Sequence, residues 1–162
     1  MNPTEYLEHL QSCAERDGLA GSDLRPCSSA DIMSVEREVG MSLPEEYVDF
    51  LCQVGAGEEH GGLARWFHLD MTRPGNVIDH SHTVMSEQLG RLRDNGQPTS
   101  RYPKNMLVAY DACDGVLYGF VPNSHSTYKP GVFCWDCDEL ALEKVADSFY
   151  EFLDYLADDS SC

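Results

Sequence analysis

The sequence predicts an α+β fold in which helices come first, an antiparallel β-meander follows and a C-terminal helix closes the chain. Three observations carry this reading. Apolar residues recur at helical spacing up to Val54, short β-branched and aromatic runs separated by turn residues follow from Trp66, and a capped apolar stripe ends the chain. No alternation of strand and helix signals a parallel sheet, and no internal repeat is present.

The first helix starts at Asn2-Pro3-Thr4-Glu5: Asn2 can cap, Pro3 suits the first helical position, and Glu5 stands three residues after the cap. Tyr6, Leu7, Leu10 and Ala14 form its apolar stripe, and Gly18, Gly21 and Pro26 make residues 17–28 a loop. A second helix begins after Ser28/Ser29, with Ile32, Val35 and Val39 inward, Glu36, Arg37 and Glu38 outward, and Gly40 as its stop. Leu43-Pro44-Glu45-Glu46 opens a third, in which Pro44 sets the first turn and both glutamates favour the positive end of the helix dipole. Tyr47, Phe50, Leu51 and Val54 are its core stripe, and Cys52 within it reads as a small hydrophobe.

Gly55 and Gly57 then break the chain into a loop, residues 56–64, that carries Glu58, Glu59 and His60. Trp66-Phe67-His68-Leu69 reads as the first strand. Within residues 72–104, turn residues surround a helix at about Ser86 to Leu92. Met106 to Tyr110 and Val116 to Val121 form a hairpin joined through Asp111-Ala112-Cys113-Asp114-Gly115, whose Asp-Gly step supplies the positive φ of a tight turn. Gly131 to Trp135 is a further strand. Ser148 and Glu151 cap the last helix, which turns Val145, Phe149, Phe152, Leu153 and Leu156 inward. Residues 1–162 are expected to form one domain, with a core at 28–157, an N-terminal helix and loop at 1–27, and a mobile polar tail at 158–162.

With 28 acidic and 11 basic residues the chain carries a net charge of −17. That excludes binding nucleic acid by phosphate neutralisation and disfavours an anionic membrane surface, since both need clustered Lys and Arg. The start has no basic segment followed by an apolar one, and no apolar run approaches the roughly 18 residues of a membrane span. A cytoplasmic protein is expected. The seven cysteines are an odd number in a chain large enough to fold without staples, so reduced thiols are expected.

The order Ile32, Glu36, Gly40, Leu43-Pro44, Tyr47, Phe50-Leu51, Gly55, then strands, Val132, Trp135-Asp136 and Ser148-Phe149-Tyr150-Glu151-Phe152-Leu153 resembles the SUKH superfamily. That superfamily includes fungal cell-wall-synthesis regulators of the Smi/Knr type and many bacterial immunity proteins. The likeness spans about residues 29–156 and leaves the first helix outside. Gly55 stands directly after Val54 where the family usually has an Asn-Gly step, and residues 72–104 are unusually long, suited to a lineage-specific binding loop. The resemblance implies a non-enzymatic protein-binding module, in bacteria commonly an immunity protein that occludes a cognate toxin. An intracellular regulatory scaffold of the Smi/Knr type is the alternative.

Residue constellations add little catalytic signal. Cys134-Trp135-Asp136-Cys137 has a zinc-knuckle gap but is half a site, and its cysteines point to opposite faces of a straight strand. His80-Ser81-His82 reads as exposed loop histidines, and no local signature marks a nucleophilic cysteine. A small hydrolase or metal enzyme is therefore the weakest reading, and no catalytic residue, metal or cofactor is expected. Charge distribution says more: residues 136–162 hold nine acids against Lys144 alone, while residues 91–104 hold four bases against Asp94. A solvated, solubilising surface is the plain reading. The sharper one is a receptor for a basic protein such as a toxin nuclease domain, formed by Glu58, Glu59, Asp111, Asp114, Asp136 and Asp138 in turns at a sheet edge.

Overall fold

Side-chain caps decide where the first helices begin in the computed structural model, which describes residues 1–60, 62, 64–72, 76–96, 103, 105–112, 115–123, 126–136 and 138–159. In α1 (Pro3–Asp17) the Asn2 side chain accepts the Glu5 N–H at 3.0 Å while Glu5 accepts the Asn2 N–H at 2.8 Å. Ser28 and Asp31 repeat this reciprocal cap on α2 (Ser29–Val39). Pro44 is the N-cap residue of α3 (Glu45–Gln53), just outside the first turn where the sequence suggested it, and offers no side-chain cap. The last helix, α5 (Phe149–Asp159), is capped twice. Ser148 Oγ accepts the Glu151 N–H at 3.2 Å, and Glu46 reaches across from α3 to accept the Phe149 and Tyr150 N–H groups at 2.8 and 3.1 Å. A carboxylate there also complements the helix dipole.

Among the described residues seven strands form one antiparallel sheet in chain order: β1 (Asp23–Arg25), β2 (Ala56–Glu59), β3 (Ala64–Trp66), β4 (Leu107–Asp111), β5 (Val116–Phe120), β6 (Val132–Asp136) and β7 (Ala141–Ala146). With α4 (Val77–Asp94) between β3 and β4, the fold is α+β as expected. Several boundaries differ from the sequence reading. The expected loops at 17–28 and 56–64 contain β1 and the β2–β3 hairpin, and Trp66 ends a strand instead of starting one. Val145 belongs to β7 and not to the closing helix, α4 is far longer than Ser86 to Leu92, and α5 takes in Asp158 and Asp159. Residues 160–162 of the expected tail lie outside the described residues.

The core lies where α1, α3 and α5 meet one face of the sheet. Trp66 packs on Phe50 (ring centroids 4.4 Å apart), Tyr110 (4.7 Å), Phe149 (5.7 Å) and Phe152 (6.2 Å), with Tyr6 edge-on at 6.3 Å. Phe149, Phe152 and Leu153 are buried, as their helical spacing required. Leu153→Ala should lower unfolding free energy by about 2–5 kcal/mol, the range for a buried leucine, in urea unfolding followed by fluorescence. No change would place Leu153 outside the core.

Helix α4 is tied to β4 by Ser81, whose hydroxyl donates to Val77 O at 2.6 Å and accepts the Val108 N–H at 2.9 Å, next to the register shift in β4. That serine satisfies an amide the irregular ladder would otherwise leave buried. Its neighbours correct the histidine reading: His80 is half-buried on this helix, stacked on Phe67 at 3.8 Å, and only His82 is exposed. Cys52 is likewise exposed on α3, on the side away from Phe50 and Leu51, whereas among the described cysteines Cys13 on α1 is the buried one. Cys13, Cys27, Cys52 and Cys134 form no disulfide.

Candidate partner-binding surface

Because each strand runs antiparallel to the next, the connections alternate between the two ends of the sheet. The long ones, 26–55, 67–106 and 121–131, fall at one end; the β2–β3, β4–β5 and β6–β7 turns fall together at the other. Of the carboxylates singled out in the sequence, Glu58, Glu59, Asp111, Asp136 and Asp138 lie in or beside those short turns. Strand alternation then separates them by face.

Glu58 pairs with Arg65, which pairs with Asp111, so these three share one face, while Gly57 pairs with Trp66 and places Glu59 with the buried tryptophan. Glu58 is exposed. Glu59 is 2% exposed and cannot meet a partner, which corrects its assignment to the receptor surface. Its Oε1 accepts the Trp66 Nε1–H at 2.6 Å and the Tyr6 hydroxyl at 2.9 Å, and its Oε2 accepts the Tyr110 hydroxyl at 3.1 Å. Asp111 is also mostly buried, at 8% exposure, and is held by Arg65 at 3.3 Å. It too presents little charge outward. Asp114 lies outside the described residues.

At the β6–β7 turn, Asp136 is half-buried and its Oδ1 accepts the Asp138 and Glu139 N–H groups, both at 2.8 Å. It shapes the turn as an Asx motif. Asp138 and Glu139 are exposed, and the Asp138 carboxylate lies 4.0 Å from where a Cβ on Gly115 would sit, which brings this turn beside the β4–β5 connection. The carboxylates that the turns of this end direct outward among the described residues are thus Glu58, Asp138 and Glu139, with Asp136 beneath them, while exposed Asp23 on β1 stands opposite Glu58 and is paired with Arg25.

Desolvation raises the Glu59 pKa, against the lowering pull of its Trp66, Tyr6 and Tyr110 donors and of His60. The folded protein therefore holds this proton more tightly than the unfolded chain, whose Glu titrates near about 4.3. The stabilisation is complete below that pH and fades as pH rises toward the raised folded value. Glu59→Gln can keep two acceptor contacts and donate to the Tyr110 hydroxyl. Urea midpoints of parent minus Glu59→Gln should fall from pH 4 upward; a difference that grows with pH would show a depressed carboxyl instead.

Among the described residues no group of three or more His, Cys, Asp or Glu could hold a metal ion, and Cys137 of the cysteine pair lies outside them. No helix among them is long and apolar enough to cross a membrane. The SMI1/KNR4 family (SUKH-1) profile matches residues 26–155, most of the chain, and the protein belongs to that family. The match begins after α1, in keeping with the resemblance read from the motif order. No curated protein shows significant similarity to the chain. Membership is consistent with an immunity-type protein that acts through a protein partner.

Sequence reasoning missed the buried Glu59 cluster, because its three donors stand on α1, β3 and β4 and converge only on folding. A parity signal existed: once Glu58-Glu59 is read as strand, one of the two must face the Trp66 side.

Proposed function

We propose that this protein is a cytoplasmic, non-catalytic immunity protein that neutralises a basic toxin, of nuclease type, by covering its active-site cleft. Residues 28–157 form the binding domain and α1 braces it through Tyr6. The observation that carries the reading is the gathering of three short turns at one sheet end, where Glu58, Asp138 and Glu139 are exposed on a chain of net charge −17. A nuclease cleft must be cationic to hold phosphate, and loops on a rigid sheet are where recognition sits. Acidic groups facing such a cleft act chiefly on association rate and on the choice of partner.

The test is to co-express the protein with toxin domains encoded beside SUKH-family genes, and then to titrate the purified toxin against which it protects. Growth should be restored, and nuclease activity should fall to zero at one equivalent with substrate excluded. Protection without a stable complex, or inhibition that leaves substrate binding intact, would contradict occlusion.

A further inference from the structure

At the opposite sheet end from the acidic turns, a cavity of about 230 Å³ opens between the C-terminus of α2, helix α4, the start of β4 and the Pro122–Tyr128 bridge. Its floor is apolar and buried: Ile78, Met106 and Leu107. Its exposed rim is polar, formed by Glu38, His82 and Asn105. Small-molecule sites usually exceed about 300 Å³, so the cavity suits one side chain better than a cofactor.

Two polar features select among side chains. Among the described residues the buried Tyr128 Oη has no hydrogen-bond partner, and burial, together with the charge of Glu36, pushes this phenol up to about 12, so it stays a neutral hydroxyl. Among the described lining residues Glu38 is the one carboxylate, and none of them is Lys or Arg. Apolar walls, an unmet hydroxyl and one carboxylate match a side chain with a methylene stem and a cationic head.

We infer that this cavity is a receptor for a single arginine-type side chain of the partner protein. The stem lies along Ile78, Met106 and Leu107, and the guanidinium meets Glu38 at the rim. The site rests on the reading of this chain as a binder of basic protein, and it adds a second contact remote from the acidic turns. A buried anchor in a pocket slows dissociation, whereas the turn carboxylates speed association.

The experiment needs no toxin, so its failure is distinguishable from failure of the immunity reading. Nitrogen-15 amide spectra are recorded during titration with N-acetyl-arginine methylamide and, separately, N-acetyl-norleucine methylamide. The arginine probe should shift the amides of Val39, Met41, Asn105 and Leu107 in a saturable way and bind up to about fivefold tighter than norleucine, the scale of one exposed ion pair. Glu38→Gln should abolish that preference and leave norleucine unchanged; Val39→Trp, at the partly exposed wall, should block both. Equal binding of the two probes, shifts elsewhere, or none at the solubility limit would overturn the assignment.

Discussion

Gly55→Ala should destabilise the protein by more than about 4 kcal/mol, beyond the usual range of single substitutions and comparable to the whole stability of a domain. Gly55 ends α3 at φ 103°, and a Cβ there would sit 1.7 Å from Arg25 O and 2.4 Å from Pro26 N. Both obstacles are backbone, so relief requires α3 to separate from the chain leaving β1. That would also strain the neighbouring bond from Cys27 N–H to Leu51 O, now 2.8 Å. Gly40→Ala is the control. Gly40 also has a positive φ, 71°, but nothing lies within 4 Å of an added Cβ, so only the conformational penalty of about 1–2 kcal/mol applies. Denaturant unfolding of the two variants separates close approach from backbone strain; equal losses would show that no clash exists at Gly55.

The second large effect is at Trp66. Trp66→Ala should cost about 3–5 kcal/mol from the cavity alone, and more because Glu59 loses its 2.6 Å donor inside the core. Trp66→Phe keeps most of the packing on Phe50 and Phe149 but removes the N–H. A double-mutant cycle of Trp66→Phe with Glu59→Gln should give a coupling energy of about 0.5–3 kcal/mol, read from urea unfolding. Strict additivity would mean the indole and the carboxyl act independently. Tyr6 links this cluster to α1, so Tyr6→Phe should also weaken docking of the first helix, seen as faster hydrogen exchange along Leu7 to Cys13.

Helices α1, α2, α3 and α5 were legible because their signals are local, whereas most of α4 was not. Asn2/Glu5, Ser28/Asp31 and Ser148 sit beside the turns they cap, and the stripes Tyr47–Phe50–Leu51 and Phe149–Phe152–Leu153 have the helical period. The strands β4, β5 and β6 were legible through their β-branched and aromatic residues. By contrast β2 is Ala-Gly-Glu-Glu and β7 is Ala-Leu-Glu-Lys-Val-Ala, compositions that disfavour strands and are held there by pairing with β1, β3 and β6. Missing β2 as a strand is what hid the opposite roles of Glu58 and Glu59. At the candidate surface, the gathering of the short turns followed from meander topology, whereas the partner that holds Asp111 is Arg65, 46 residues away in the chain.

The receptor surface is tested most directly by association kinetics with the purified toxin domain over a salt series. The triple variant Glu58→Gln/Asp138→Asn/Glu139→Gln leaves Glu59, Asp111 and Asp136 in their structural roles, and exposed substitutions of this kind usually stay within about ±0.5 kcal/mol of stability each. The account predicts a slower association rate at low salt and a flatter dependence on ionic strength, with the parent and variant converging as salt screens the remaining charge. Superimposable rates at every salt concentration would show that this end is not the receptor, and would move the contact to α4 with its exposed Arg91 and Arg93.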